Sequence, residues 1–453
     1  MSDRDDGPRA ALPTWPLVVM FALMPLWWAL GVWYFVWPFF GLLLAALMAV
    51  RGGIRLPTGT ACWLIFLGIV AVSATRLTRA TALLTFGLRL GHLLTAFLVG
   101  LYVYNVARDR VSWARIAQPL CVFWLCLVAL GWLGVVAPTF GVASPLELVL
   151  PQRIAAERFL LDLTHLDTTE YNPLSRNPIY RPAAPFPYTN NWGTAYAFLV
   201  PFVVAYLTCV RRGAMRLTLL VSLPVSLVPA FLTLNRGMFI GLGAGMAYLL
   251  AREVVKGRVR LLVPVAGLVV CAWVATLFIP VGELISNRTS TTDTTYDRMD
   301  LYVHTWDAVL HSPLLGFGQP NSVDTTHASE PLGTQGMLWQ VLYSHGIPAL
   351  ICLYLLLMLI ARRMAAAVSP TGLWLSALPV IAIVITPFYS YIDPNMSVLF
   401  FAVGLGLAGV DAPVNRDRSD RRGADRRPAA RVPAARTPAG REPVRRESAG
   451  AAT

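Results

Sequence analysis

The sequence predicts an all-α, polytopic membrane protein of about 12 transmembrane helices with two long extracytoplasmic loops. Three observations predict it. Hydrophobic residues make up 56% of the chain and charged residues only 13%, about half the charge fraction of a soluble protein. Apolar runs of about 20 residues recur, each closed by charge or by Pro and Gly, which is the length needed to cross a hydrocarbon core. Lys and Arg also gather on alternate connections, as they do where every second connection faces the cytoplasm.

Taken in order, residues 1–12 form a short N-terminus, and helices are predicted near 13–31, 33–50, 59–75, 81–106 and 117–137. The first apolar run has no short core followed by a small-residue cleavage site, so it reads as retained helix rather than signal peptide. A first long connection covers 138–191. It opens with "SPLELVLPQRIAAERFLLDL", whose mixed pattern suits a helix lying flat on the outer leaflet. Helices near 192–210, 217–234, 237–251 and 261–280 follow, then a second long connection over 281–336, then helices near 337–360, 370–389 and 395–411.

With a cytoplasmic N-terminus, the inward connections are "RGGIR", "ARDRVSWAR", "RRGAMR", "REVVKGRVR" and "ARR", which together hold 14 Lys and Arg. Both termini are then cytoplasmic. The tail 412–453 carries eleven arginines and few aliphatic residues beyond Ala. It has too little apolar surface for a core and is expected to be disordered along the anionic inner leaflet. The net charge of +13 is explained by this tail and the helix flanks, and no nucleic-acid partner is expected. The six cysteines all fall in apolar runs, so neither a disulfide framework nor a thiolate metal site is indicated.

One position breaks the pattern. In "FLTLNRGMFIGLGAG", Arg236 stands between two apolar runs in the tight outward turn before a glycine-rich helix. A charge there gains nothing from the inner leaflet. Arginine stays charged and its planar fork matches paired phosphate oxygens, while the glycines permit close approach of a helix or lipid chain.

Four motifs in this part of the chain resemble the O-antigen ligase and O-antigen polymerase superfamily. "FLTLNRGMFIGLGAG" looks like its S-x-S-R-G signature, and "RPAAPFPYTNNWGTAYAFLVPF" is similar to its Arg, Gly-Pro-Phe, Pro-Asn run. "YDRMDLYVHTWDAVLHSPLLGFG" resembles its R-x-x-x-W…P-L-x-G-x-G loop, and "GTQGMLWQVLYSHGIPALICLYLL" the helix after it. The four occur in the family's order over roughly 175–360.

What the resemblance implies is a GT-C-type glycosyltransferase of the bacterial cytoplasmic membrane. It would move a glycan from a polyprenyl-diphosphate donor to an acceptor hydroxyl of a glycan or lipid-linked acceptor at the outer face. No cofactor or metal is implied. Arg181, Arg236 and Arg298 would hold the diphosphate and stabilise its developing charge. Asn190, Asn191, Gly316 and Gly318 belong to the matching motifs and are taken as substrate-binding. The family usually places His-Asn or His-Ser eleven residues before the helix glycine, here Gly346; this chain has Gln335 followed by Gly336. Gln cannot act as a general base. His327, nearby in the loop, is the candidate substitute, and His345 reads as a packing or interface residue.

Arg89 and His92, one turn apart inside a predicted span, read either as pathway residues or as an internal ion-pair cluster; Arg89 is taken as substrate-binding. Asp293, Asp297 and Asp300 would share one helix face and suit a general base, a metal site or, the favoured reading, a solvated helix start, and His304 and His311 read as structural rather than ligating. Two other function classes are open to such a chain. One is a twelve-helix transporter or flippase; the other is a catalytically silent scaffold of wall-glycan assembly. No two-fold internal repeat of the kind common in transporters is visible.

Overall fold

The computed structural model describes residues 11–78, 82–109, 111–151, 158–171, 179–257, 294–320, 332–392 and 394–412. The predicted helix at 261–280, the predicted disordered tail beyond 412, and Asp293, His327 and Cys271 lie outside them.

The chain is overwhelmingly helical. Seven helices among the described residues are long and apolar enough to cross a membrane: Ala82–Arg108, Trp113–Val136, Thr189–Cys209, Ala214–Leu232, Arg236–Val255, Met337–Met364 and Pro394–Asp411. Three shorter apolar helical stretches, Val36–Arg51, Thr60–Arg76 and Pro370–Ile385, pack among them. Numbered in chain order, the helices are α1 (Trp15–Leu17), α2 (Met24–Ala29), α3 (Val36–Arg51), α4 (Thr60–Ser73), α5 (Ala82–Arg108), α6 (Trp113–Val136), α7 (Pro145–Val149) and α8 (Arg158–Thr164). They continue as α9 (Thr189–Cys209), α10 (Ala214–Val225), α11 (Leu227–Leu232), α12 (Arg236–Val255), α13 (Thr294–His311), α14 (Met337–Met364), α15 (Pro370–Leu375), α16 (Leu378–Ile385) and α17 (Pro394–Asp411).

Proline sets several of the interruptions. The stretch predicted as one helix over 13–31 is α1, a π-helical turn Val18–Ala22 and α2, because Pro25 lacks the N–H a continuous helix requires. Pro370 and Pro379 likewise stand in the first turns of α15 and α16. In the first long connection the described part of the predicted surface helix includes α7 and α8, and Pro151 follows α7. Ser144 caps α7 by accepting from the Glu147 N–H, and Leu148 and Val149 on it are exposed. Two short antiparallel ribbons, absent from the all-α expectation, complete this connection: β1 (Gly141–Val142) pairs β2 (Leu166–Asp167), and β3 (Thr169–Glu170) pairs β4 (Arg181–Pro182).

Helices approach closely where glycines face a partner. A side chain at Gly404 on α17 would stand 2.5 Å from the Gly100 carbonyl of α5, so these backbones touch. Gly237, Gly241 and Gly245, one turn apart on α12, face Tyr389, Ile385 and Ile381. The glycine-rich run therefore seats α12 against α16, as the close-approach reading expects for a helix partner.

The bundle has one basic end. Arg51 pairs with Asp109, joining the ends of α3 and α5. Arg252 near the end of α12 donates to the Ala367 carbonyl and, at 2.8 Å, to Ser376 Oγ. Arg363 near the end of α14 donates to Asp411 at 2.5 Å, and Arg216 caps the end of α9 through the Leu207 and Val210 carbonyls at 2.5 and 2.7 Å.

Candidate functional site

At the other end of the bundle four helices begin side by side. Asn235 caps α12, its Oδ1 accepting from the Met238 N–H at 3.0 Å, while its Nδ2 donates to the Thr189 carbonyl at the start of α9. That side chain lies directly over Gly193, where a Cβ would collide with it. The Gly237 N–H donates to the Tyr389 hydroxyl at 2.9 Å, and the Tyr389 carbonyl accepts from the Met337 N–H at 3.0 Å. Asn395 Nδ2, on the first turn of α17, donates to the Asn191 carbonyl at 3.0 Å. The starts of α9, α12, α14 and α17 are thus stitched into one patch. Helix starts expose backbone N–H groups and a positive dipole end, a setting that favours negative charge.

Arg236 is the first residue of α12 and is exposed. Among the described residues no carboxylate or carbonyl holds its guanidinium. Arg181 differs. Its Nη2 donates to Glu170 Oε1 at 2.5 Å across the β3–β4 ribbon, and the other Glu170 oxygen accepts from the Thr189 N–H at 2.7 Å. Asn190 and Asn191 sit in the first turn of α9, partly exposed, with the Asn190 carbonyl accepting from Thr194 Oγ1. Gln335 is partly exposed just before α14, and its Nε2 donates to Thr334 Oγ1 at 3.3 Å. Arg298 is placed on α13, but its side chain lies outside the described residues, as does His327. α13 itself is fixed against the start of α14 by Tyr302 stacked on Trp339, centroids 4.5 Å apart.

Gly316 and Gly318 have a structural task that their motif explains. α14 is broken at Gly346, whose φ of +81° no other residue adopts cheaply. Pro348 has no N–H for the Ser344 carbonyl, and the break carries the Ile347 N–H away from Tyr343. The loop "SPLLGFG" repairs both losses. The Phe317 N–H donates to the Tyr343 carbonyl at 2.9 Å, the Gly318 N–H to the Ser344 carbonyl at 2.8 Å, and the Ile347 N–H to the Pro313 carbonyl at 2.8 Å. A side chain at Gly316 would run into the Tyr343 carbonyl.

Next to that break lies a second polar group. His345 Nδ1 is 2.7 Å from Ser73 Oγ at the end of α4, and the Phe86 ring packs edge-on against the imidazole at 6.4 Å. Arg89, one turn along α5 from Phe86, lies within electrostatic range of His345 and Tyr188, and its guanidinium stands 5.1 Å over the Phe159 ring. No carboxylate pairs with Arg89 among the described residues. His92 is buried edge-on to the Tyr34 ring. Asp300 and His304 are exposed on α13, as is His311, whose Nδ1 donates to the Asp307 carbonyl.

The family model described as O-antigen ligase matches residues 221–354. The chain carries an O-antigen ligase domain. Over these residues the chain is similar to the O-antigen ligase family, which supports the superfamily that its motifs resemble. No curated protein sequence matches it. The O-antigen ligase domain contains Arg236, Arg298, Gly316, Gly318, His327 and Gln335, and takes in the whole break in α14. Arg181, Asn190, Asn191 and Arg89 lie outside it, yet the structure brings Arg181 and the two asparagines to the patch where Arg236 stands. Sequence reading missed three residues that build this patch. Asn235 was findable as a capping residue before a helix start. Glu170 and Tyr389 were not, because only the folded chain brings them to Arg181 and Gly237.

Proposed function

We propose that the protein transfers or polymerises a glycan from a polyprenyl-diphosphate donor to an acceptor hydroxyl, at the outer face of the bacterial cytoplasmic membrane. The observation that carries this reading is Arg236. It is a cation at the junction of four helix starts, exposed, and with no acceptor of its own among the described residues. Every helix beginning there adds partial positive charge, so the patch suits the diphosphate that leaves as the glycosidic bond breaks. A preorganised arginine stabilises the developing charge without needing a metal ion.

In this reading Arg298 and Arg181 assist Arg236, with Glu170 fixing the direction of Arg181. Asn190 and Asn191 present polar groups to the glycan, and Gln335 and His327 stand on the acceptor side. The gathering of basic connections at the opposite bundle end supports the orientation, because Lys and Arg mark the cytoplasmic side. Both termini are then cytoplasmic, and the Arg236 patch faces outward.

The test is transfer from a purified polyprenyl-diphosphate-linked oligosaccharide by wild type, Arg236→Lys and Arg236→Ala, normalised to folded protein. Both variants are expected to insert normally and to lose about 10²–10³ in rate, the usual cost of removing one preorganised donor. Lysine keeps the charge but offers a point contact in place of the fork. Near wild-type turnover in Arg236→Lys would rule out bidentate binding and leave Arg236 a topological or packing residue.

A further inference from the structure

The glycan-transfer reading leaves the acceptor proton without a destination, since Gln335 stands where a base is expected. We infer that His345, held by Ser73 and backed by Arg89, accepts that proton. The inference rests on the glycan-transfer reading.

The hydrogen-bond pattern fixes the tautomer. Ser73 Oγ lies 2.6 Å from the Val70 carbonyl and 2.7 Å from His345 Nδ1. A carbonyl only accepts, so the serine hydroxyl donates to Val70. Its oxygen is then the acceptor for Nδ1–H, and the neutral imidazole carries its proton on Nδ1. The lone pair is left on Nε2, the nitrogen a base must present. Nε2 has no hydrogen-bond partner among the described residues. The residue as a whole is 4% exposed. The ring is therefore buried and held through Nδ1, with Nε2 unpartnered among the described residues.

The surroundings suit a hydroxyl of a charged or polar acceptor. Gly346 and Pro348 break α14 immediately after His345, and the 313–318 loop takes up the freed backbone groups, so the imidazole sits at a fixed, interrupted turn. Arg89 lies near the same ring without a carboxylate partner among the described residues, and can hold a neighbouring acceptor oxygen. This group adjoins the Arg236 patch through the chain itself. Tyr188, near Arg89, precedes Thr189, whose carbonyl bonds Asn235 next to Arg236.

The step balances. Nε2 takes the acceptor O–H proton as that oxygen bonds the anomeric carbon. The bond from that carbon to the diphosphate oxygen breaks, its electron pair leaves with the diphosphate, and the imidazolium returns its proton to water.

The experiment uses full-length protein and the same polyprenyl-diphosphate-linked oligosaccharide. His345→Gln is expected to lower kcat by about 10²–10⁴, the usual contribution of a general base, with the donor KM within about threefold of wild type. His345→Ala is expected to recover rate on adding free imidazole, which a packing role would not allow. Should His345→Gln fail to insert, Ser73→Ala keeps the imidazole but loses its anchor, and is expected to cut kcat about tenfold with an unchanged donor KM. If wild type transfers and either His345→Gln or Ser73→Ala does so within about threefold of it, the His345 assignment alone is overturned. That assignment also fails if His327→Ala or Gln335→Ala abolishes transfer while His345→Gln does not. Absence of transfer by folded wild type overturns the glycan-transfer reading and His345 with it.

Discussion

The two ends of the bundle use arginine differently. At the basic end, Arg51, Arg216, Arg252 and Arg363 each donate to a carboxylate, a carbonyl or a hydroxyl on a neighbouring helix end. Arg216 and Arg252 answer orphan carbonyls where helices finish, and Arg51 and Arg363 pair with the Asp109 and Asp411 carboxylates. At the opposite end α9, α12, α14 and α17 begin side by side, and there the backbone offers N–H groups. Arg236 stands there with no acceptor among the described residues, and Arg181 is there only with Glu170 to balance it. An arginine at a helix finish explains itself; an arginine at four helix starts calls for an anion from outside. The contrast adds to the sequence reading of Arg236 what sequence does not give, namely which arginines have acceptors on neighbouring helices.

The contrast can be broken at intermediate and at purely structural positions. Arg181 belongs partly to both classes, so Arg181→Ala should damage both properties. Transfer is expected to fall about 10- to 100-fold, and stability by about 1–3 kcal/mol as Glu170 loses its partner. Loss of one without the other would place Arg181 wholly in one class. Arg252→Ala should cost about 1–3 kcal/mol through the unsatisfied Ala367 carbonyl and Ser376, read as a lower melting temperature in detergent. Its transfer per folded molecule should stay within about twofold of wild type. A rate loss without loss of stability would show that the basic end also takes part in turnover. Smallest of all is removal of residues 412–453: with few aliphatic residues beyond Ala to pack, the truncated protein should insert and transfer within about twofold of the full chain.

Much of the helical layout was legible because apolar runs are long and Pro, Gly and Arg punctuate them. The single stretches predicted over 13–31 and 370–389 were not seen to divide, since periodicity does not register a π-turn or a second proline-led start. The Arg236 turn was legible from its misplaced charge, and the loop motif from its glycines. What the glycines do was hidden: Gly316 and Gly318 serve a helix break at Gly346, and only the hydrogen bonds to Tyr343 and Ser344 reveal it. His345 read as packing because its partner Ser73 is 272 residues away, and no local pattern encodes a tautomer.

The most direct measurement is equilibrium binding of undecaprenyl diphosphate, carrying no glycan, to wild type, Arg236→Lys and Arg252→Lys in the same detergent. A charge-assisted hydrogen bond contributes about 1.5–3 kcal/mol, so Arg236→Lys should weaken binding by about 10- to 100-fold. Arg252→Lys should leave the Kd within about twofold. Equal affinities in all three would contradict the claim that the arginine at the helix starts is there for an anion.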